Sequence, residues 1–371
     1  MSRKGFGRDL MILIRRAGLL GATFALVCLA ACGGGSGGGS GSGSRNAYVA
    51  VPQANAIAAF RVNSSGDLTR VLGSPFAGGT SPVAIAVHPS GKFVYAANQG
   101  GNDVSLFTIN SNTGELTEVM PRTAAGLNPS SLVMDSGGDL LFVTNETANT
   151  ISVYSVSSSD GTLSQIAGSP FPTGARPVAL ALSPSGKFLY VASGTLPLVF
   201  GYSVAAGSLA PVPNSPFSVG NGPSSLVVDP SEHFLYVTNF SDNTVSGLTI
   251  NSTTGALTVA LDSPFTAGTG PISVTASAKA LYVTNLGSGN VSVYSIDSTT
   301  GATTQLDKSP FSAGTAPVSA TIDPGGTSLY VCNQTSKNIT KLTINPDGGG
   351  LPSSTVAATI NVAPASIVFA K

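Results

Sequence analysis

An apolar run ending in a short polar residue returns seven times in this chain, at Asn46–Val51, Phe93–Asn98, Leu140–Asn145, Phe188–Ser193, Phe234–Asn239, Ala280–Asn285 and Ser328–Asn333. Its aromatic position is occupied by Tyr48, Tyr95, Phe142, Tyr190, Tyr236, Tyr282 and Tyr330, at spacings of 47, 47, 48, 46, 46 and 48 residues. A period of this length marks stacked or radial repeats, in which each unit has a hydrophobic face that only its neighbours can bury. The repeat therefore constrains the architecture before any single residue is considered.

One unit shows how each repeat folds. Val178–Leu182 reads as a short strand A, and Ser183–Gly186 as a turn in which Pro and Gly supply the restricted and permissive φ values of a tight reversal. Phe188–Ala192 is strand B, almost continuously apolar, as expected when both faces are covered. Val199–Val204 is strand C, Ala205–Gly207 a hairpin turn, and Ser208–Val212 strand D. Four short strands in about 47 residues make a propeller blade. A Pro opens strand A at positions 82, 129, 177, 223, 271, 317 and 364, and Ser-Pro-Phe recurs at 74–76, 169–171, 215–217, 263–265 and 309–311. The expectation is an all-β, seven-bladed β-propeller with four-stranded blades over residues 45–371. The C-terminal Pro364–Phe369 supplies strand A to the N-terminal strands and so closes the ring, which removes open edges. A tryptophan–aspartate propeller is excluded, because the chain has no Trp.

Residues 1–44 read as export and attachment. Arg3, Lys4, Arg8, Arg15 and Arg16 form a basic start, and Ala17–Ala31 is an uncharged, mostly apolar run of 15 residues. That is short for a membrane span of about 20 residues and suits the apolar region of a signal peptide. Leu29-Ala30-Ala31-Cys32 resembles a bacterial lipobox, which implies a signal peptide over 1–31 and a lipid on the sulfur of Cys32. Residues 32–44 then form a Gly/Ser tether. Gly33 after the Cys points to the outer membrane or the periplasmic side of the envelope, with the lipid anchor as the membrane contact.

Composition narrows the function. Without the five basic and one acidic residues of the leader, 12 basic and 16 acidic residues remain, too acidic a balance for a nucleic-acid surface. No His/Cys cluster, calcium-spaced Asp loop or phosphate-binding Gly loop occurs, so no metal or cofactor is expected, and a redox propeller lacks a cofactor motif. The Gly-x-Ser-x-Gly within the Gly/Ser tether is linker, not a nucleophile elbow. With Cys28 in the leader and Cys32 acylated, Cys332 has no disulfide partner and reads as a small buried hydrophobe.

The blade text Gly-x-x-Pro, then Pro-Ser-Gly-Lys-Phe-Leu-Tyr-Val-Thr-Asn, then Asn-Thr-Val-Ser-Val-Tyr, then Thr-Gly-Ala-Leu resembles the YVTN-type propellers of the lactonase family, which includes 6-phosphogluconolactonases. The resemblance spans 45–371 and implies a lactone-hydrolysing ancestry. It also implies Pro-Arg-His at the start of one strand A and an acidic residue after the Asn of one strand B. No strand A here opens with Pro-Arg-His. The acidic partner is matched by Asn145-Glu146, while Arg176 precedes its Pro instead of following it.

Lactone hydrolysis needs a base to activate water and charge to stabilise the oxyanion. The candidate catalytic residues are Glu146 as base, with Arg176 or Arg122 as oxyanion partner. Arg122 stands out because Met120-Pro121-Arg122 replaces Ser-Pro-Phe in its blade. His88 and His233 fall near A–B turns, on the face away from the channel mouth, and read as solvated turn residues. The repeated Asn98, Asn145, Asn239, Asn285 and Asn333 read as loop caps, with a ring of ligand-binding amides as the alternative. The first expectation is a binding module holding a small-molecule or protein ligand at the channel mouth; the second is a hydrolase of an extracytoplasmic lactone.

Overall fold

The computed structural model describes residues 45–370. The signal-peptide, Cys32 and tether readings fall outside the described residues. Within them the chain is almost entirely β and forms seven antiparallel sheets arranged as blades. Strand A of blade 4 is Pro177–Leu182, B is Phe188–Ser193, C is Leu198–Ala205 and D is Ser208–Pro211, each within about a residue of the sequence reading. Blade 1 takes its strand A from the C-terminal Ser366–Ala370, which pairs antiparallel with Arg45–Val51 in the register Tyr48↔Val368. The ring is thus closed as the repeat count requires.

The outer strand departs from four continuous strands. In blades 1, 3, 4, 5 and 6 it is split, and a two-residue piece beginning at the Phe of Ser-Pro-Phe pairs separately with strand C. The reason is local hydrogen bonding. Where the edge strand breaks, the Ser hydroxyl accepts from the strand-C amide left unpaired: Ala59 N–H to Ser74 Oγ at 2.8 Å, and likewise Val153 to Ser169, Gly201 to Ser215, Gly247 to Ser263 and Val293 to Ser309. An orphaned backbone donor would otherwise be costly. Blades 2 and 7 lack Ser-Pro-Phe, and their outer strands, Leu116–Ala124 and Ser353–Thr359, run unbroken.

The core lies between blades, not inside them. Side chains alternate along strand B, so Leu235 and Val237 of blade 5 pack with Tyr190 of blade 4, while Tyr236 packs with Leu281 and Val283 of blade 6. The same alternation sends Tyr282 to Leu329 and Val331 of blade 7, and Tyr330 to Ala47, Val49 and Val51 of blade 1.

Each strand-B Tyr then uses its hydroxyl. Tyr48 donates to the Gly114 carbonyl in the C–D turn of the next blade, Tyr95 to Gly161 at 2.7 Å, Tyr190 to Gly255 at 2.8 Å, Tyr236 to Gly301 at 3.0 Å, Tyr282 to Gly349 at 2.9 Å and Tyr330 to Gly66 across the closure. Burial raises the pKa of these hydroxyls, that of Tyr282 to about 12, so they remain donors well into alkali. The receiving Gly has positive φ (73° at Gly255, 72° at Gly301), and at Gly161, Gly255 and Gly301 a Cβ would strike the Phe that opens strand B of the preceding blade. Glycine is required at these turns on both counts. Phe142 carries no hydroxyl, so the boundary between blades 3 and 4 lacks this latch.

His88 corrects the solvated-turn reading. It is buried, its Nδ1 against Ser90 Oγ and its Nε2 3.1 Å from the Gly138 carbonyl of the neighbouring blade, with its ring edge-on to Phe93. His233 is exposed, as expected. Cys332 is buried between blades 7 and 1, and burial pushes its thiol pKa up, which keeps it an unreactive thiol.

The seam between blades 7 and 1 carries charge. Lys341 Nζ donates to Asp67 Oδ1 at 2.7 Å and to the Ser65 carbonyl, and Arg45 approaches Asp323 at 3.4 Å. Hydrogen bonding from Lys341 holds the Asp67 carboxyl below its ordinary pKa of 3.8.

Two outcomes follow for stability. Tyr236→Phe removes one latch and strands the Gly301 carbonyl, which should cost about 1–2 kcal/mol in denaturant unfolding; no change would show the latch to be decorative. Asp67→Asn should lower the melting temperature at neutral pH. Because the folded pKa is depressed, the wild-type advantage is full above the ordinary carboxyl pKa and disappears as pH falls through the folded value. Melting curves of both proteins should therefore converge once the pH has fallen below the ordinary carboxyl range.

Candidate functional site

Strand A begins, and strand B ends, on the face carrying the D–A and B–C loops. Strand A is the innermost strand of each blade, so the D–A loops enter at the channel mouth with the end of strand B beside them. Blades 2 to 7 each carry a backbone bond from the residue after strand B to the residue before the strand-A Pro: Gln99 N–H to Ser81, Glu146 to Asn128, Gly194 to Arg176, Phe240 to Gly222, Leu286 to Gly270 and Gln334 to Ala316. The carbonyl-bearing residue has left-handed φ in all six, between 52° at Arg176 and 69° at Gly222. Two of the six are Gly; Arg176 is held in this conformation partly by its N–H, which donates to Asn149 Oδ1 of blade 3 at 2.6 Å.

The repeated Asn residues are absorbed by this frame. Asn145 Nδ2 donates to Thr150 Oγ1 at 3.0 Å and Ser152 Oγ at 2.9 Å, and Asn239, Asn285 and Asn333 make the corresponding pairs five and seven residues on. Asn98 does the same with Asp103 and Ser105. All five are buried, so their amides tie strand B to strand C instead of facing the channel.

What varies around the mouth is the residue after strand B. On blades 5 and 6 it is Phe240 and Leu286, which cluster with Ile272 and Val318 into an apolar wall. On blades 2 and 3 it is Gln99 and Glu146. Arg176 Nε and Nη2 both donate to Glu146 Oε1, joining blade 3 to the entry of blade 4. Glu146 is 5 % exposed and Arg176 31 %. Glu146 Oε2 is buried and has no hydrogen-bond partner among the described residues. The position after strand B is therefore buried and apolar in blades 5 and 6, and carries one partner of an ion pair in blade 3.

The structure brings Glu146 and Arg176 together and places Arg122 elsewhere. Arg122 lies on the outermost strand of blade 2, where Nε and Nη2 grip both oxygens of Glu118 at 2.7 and 3.0 Å, and Ser105 adds a hydrogen bond to the same carboxylate. That pairing raises the Arg122 pKa further and commits the guanidinium within its own blade. Among the described residues no three His, Cys, Asp or Glu side chains converge as a metal site would require.

Two residues beside the pair went unremarked in the sequence. Leu127 is 55 % exposed, and its carbonyl accepts from Thr147 and Ala148 just past Glu146. Leu196 is 41 % exposed and lies two residues beyond Gly194, the backbone partner of Arg176. The signal was available as departures from the repeat, since the boundary between blades 3 and 4 also has Phe142 for Tyr, Ser193 for Asn and a shortened C–D turn at Ala205–Gly207.

The pair's energetics are testable. Arg176→Ala alone leaves the buried Glu146 uncompensated and should destabilise by about 2 kcal/mol or more. Adding Glu146→Leu reproduces the Leu286 and Ala316 combination between blades 6 and 7, and should restore or exceed wild-type stability. A double variant less stable than Arg176→Ala would mean that Glu146 stabilises the fold through contacts other than the ion pair.

A family model for the lactonase seven-bladed β-propeller matches residues 41–175 and 173–369. A search of the curated proteins finds no match. Among solved structures, a candidate 6-phosphogluconolactonase of Bacteroides fragilis is 20 % identical with a TM-score of 0.74, covering 90 % of this chain and 100 % of its own. A similar candidate from Bacteroides uniformis is 20 % identical with a TM-score of 0.76, covering 88 % of this chain and 100 % of its own. A periplasmic gluconolactonase of Pseudomonas aeruginosa is 19 % identical with a TM-score of 0.74, covering 88 % of this chain and 99 % of its own. At these identities the likeness to solved structures is one of fold. The family model, which matches nearly the whole propeller, places the chain in the lactonase family of seven-bladed β-propellers.

Proposed function

We propose that this protein is an exported, lipid-anchored binding module of the cell envelope that holds a small-molecule or protein ligand at the channel mouth, over Glu146 and Arg176. The observation that carries the reading is the state of Glu146. Arg176 holds one of its oxygens, and the other is buried away from solvent. A general base must lie within hydrogen-bond reach of the water it activates, and neither oxygen is offered to one. The carboxylate instead fixes the rotamer of Arg176, whose exposed edge is the part that meets a ligand. The leader sequence, with its lipobox-like Cys32, supports attachment to the envelope, and a periplasmic relative by name is consistent with export.

A second reading is a lactone hydrolase on the same site. Family membership favours it, as does the convergence of Glu146 and Arg176. On this reading Arg176 stabilises the oxyanion and Glu146 becomes the base once a substrate draws Arg176 aside.

Purified 45–371 assayed on 6-phosphogluconolactone and a panel of neutral γ- and δ-lactones decides between them. The expected result is no rate above spontaneous hydrolysis. Turnover that Glu146→Gln abolishes, with its melting curve unchanged, would overturn the binding-module reading and establish the hydrolase.

A further inference from the structure

The neutral pair at the mouth restricts what its ligand can be. Arg176 is the cation placed there by the boundary of blades 3 and 4, and Glu146 already neutralises it. An anionic ligand such as a sugar phosphate would meet no net positive charge and would be repelled by the chain's excess of acidic residues. A cationic ligand would face Arg176. A neutral acceptor suits the site, because the guanidinium still presents N–H groups at its exposed edge.

The flanks add a second restriction. Leu127 stands on the loop entering blade 3 and Leu196 on the B–C loop of blade 4, with Arg176 on the loop between them. The Leu127 carbonyl accepts from the residues just past Glu146, and Leu196 lies two residues beyond the backbone partner of Arg176, so an exposed aliphatic side chain belongs to the loops on each side of the pair. A sugar ring is commonly gripped by an aromatic face, yet none of the large apolar side chains exposed among the described residues is aromatic. A peptide in extended conformation has the complementary pattern: a neutral carbonyl acceptor with apolar side chains to either side along the strand. The cost of leaving Glu146 Oε2 buried without a donor, where Leu286 serves the same place in blade 6, is the kind of local expense retained at functional sites.

We infer that the mouth at blades 3 and 4 binds an extended, uncharged peptide segment of a partner protein, a backbone carbonyl accepting from Arg176 and apolar side chains packing on Leu127 and Leu196. This deepens the binding-module reading and rests on it.

The probe is a phage-displayed library of random heptapeptides selected on 45–371, with synthetic versions of the enriched peptides measured by fluorescence anisotropy. Sorbitol and glucose 6-phosphate serve as the neutral-polyol and anionic-sugar probes, with binding read by calorimetry. Peptides rich in aliphatic residues should be enriched, and should bind at least tenfold more weakly to Leu127→Ser/Leu196→Ser and to Glu146→Leu/Arg176→Ala. The leucine pair is exposed and leaves the core untouched, so it carries the test even if the second variant fails to fold. No enrichment, or peptide binding that both variants retain, overturns the inference. Arg176-dependent binding of sorbitol or glucose 6-phosphate without any peptide would overturn it while leaving the mouth as the ligand site. Indifference of every bound probe to both variants would overturn both readings.

Discussion

The whole structure depends on the burial of each blade's two faces against its neighbours. Strand B alternates its side chains between the preceding and following blades, so no blade has a core of its own and the ring must close for any of them to be buried. Tyr serves this geometry better than Leu would. Its ring fills the gap between sheets, and its hydroxyl reaches the turn carbonyl of the next blade, which would otherwise be buried unpaired. The one boundary built with Phe142 has only apolar packing there, with Leu140, Ile166 and Val153 lying against Gly207. The Glu146–Arg176 pair spans that same boundary at the opposite end, so the two blades are tied by charge at the mouth instead of by a hydroxyl at the base.

Charge is scarce in this chain, at 9 % of residues, which makes its placement informative. Among the described residues, two of the four ion pairs bridge blades 7 and 1. The chain crosses that seam through residues 360–365, which run from strand D of blade 7 to strand A of blade 1, while strands A and B of blade 1 come from opposite ends of the propeller and are joined by pairing and packing alone. Losing covalent continuity adds the entropy of bringing distant segments together. Lys341 is suited to this position because its aliphatic stem lies buried in strand C while its ammonium emerges at the acceptors of the blade 1 turn.

The fold was legible because its cause is periodic. Seven Tyr/Phe positions, seven strand-A prolines and turn glycines at fixed offsets each state the same geometry, and agreement between levels is what makes a sequence specify one structure. The split outer strand was less legible. Ser-Pro-Phe was visible as a repeat, but that its Ser satisfies a strand-C amide requires knowing which amide the broken edge releases. His88 misled because a turn position gives no account of the neighbouring blade's turn that buries it. The site was half legible. Glu146 followed from its place after Asn145, and Arg176 from being unique to its blade, but their union depends on two loops about 30 residues apart in sequence meeting across a blade boundary. Arg122 carried the same kind of signal, yet the partner that claims it, Glu118, lies four residues away on the same strand.

A repeat protein separates structural from functional information more cleanly than most folds. Residues that recur from blade to blade are required by packing, as the five buried Asn side chains demonstrate. Residues that break the pattern are free to serve something else, and here most of them lie along the boundary of blades 3 and 4: Phe142, Glu146, Arg176, Ser193 and the exposed Leu127 and Leu196. Membership of the lactonase family fixes the scaffold but not the chemistry, because chemistry resides in such grafted departures. Hydrolysis of an anionic lactone asks for a base in contact with water and for uncompensated positive charge at the oxyanion. The mouth of this propeller offers a carboxylate withdrawn from solvent and a guanidinium already neutralised by it. The same two groups, in the same places, make a hydrogen-bond donor held in one orientation by its ion pair, which is the preorganisation that the proposed binding role draws on.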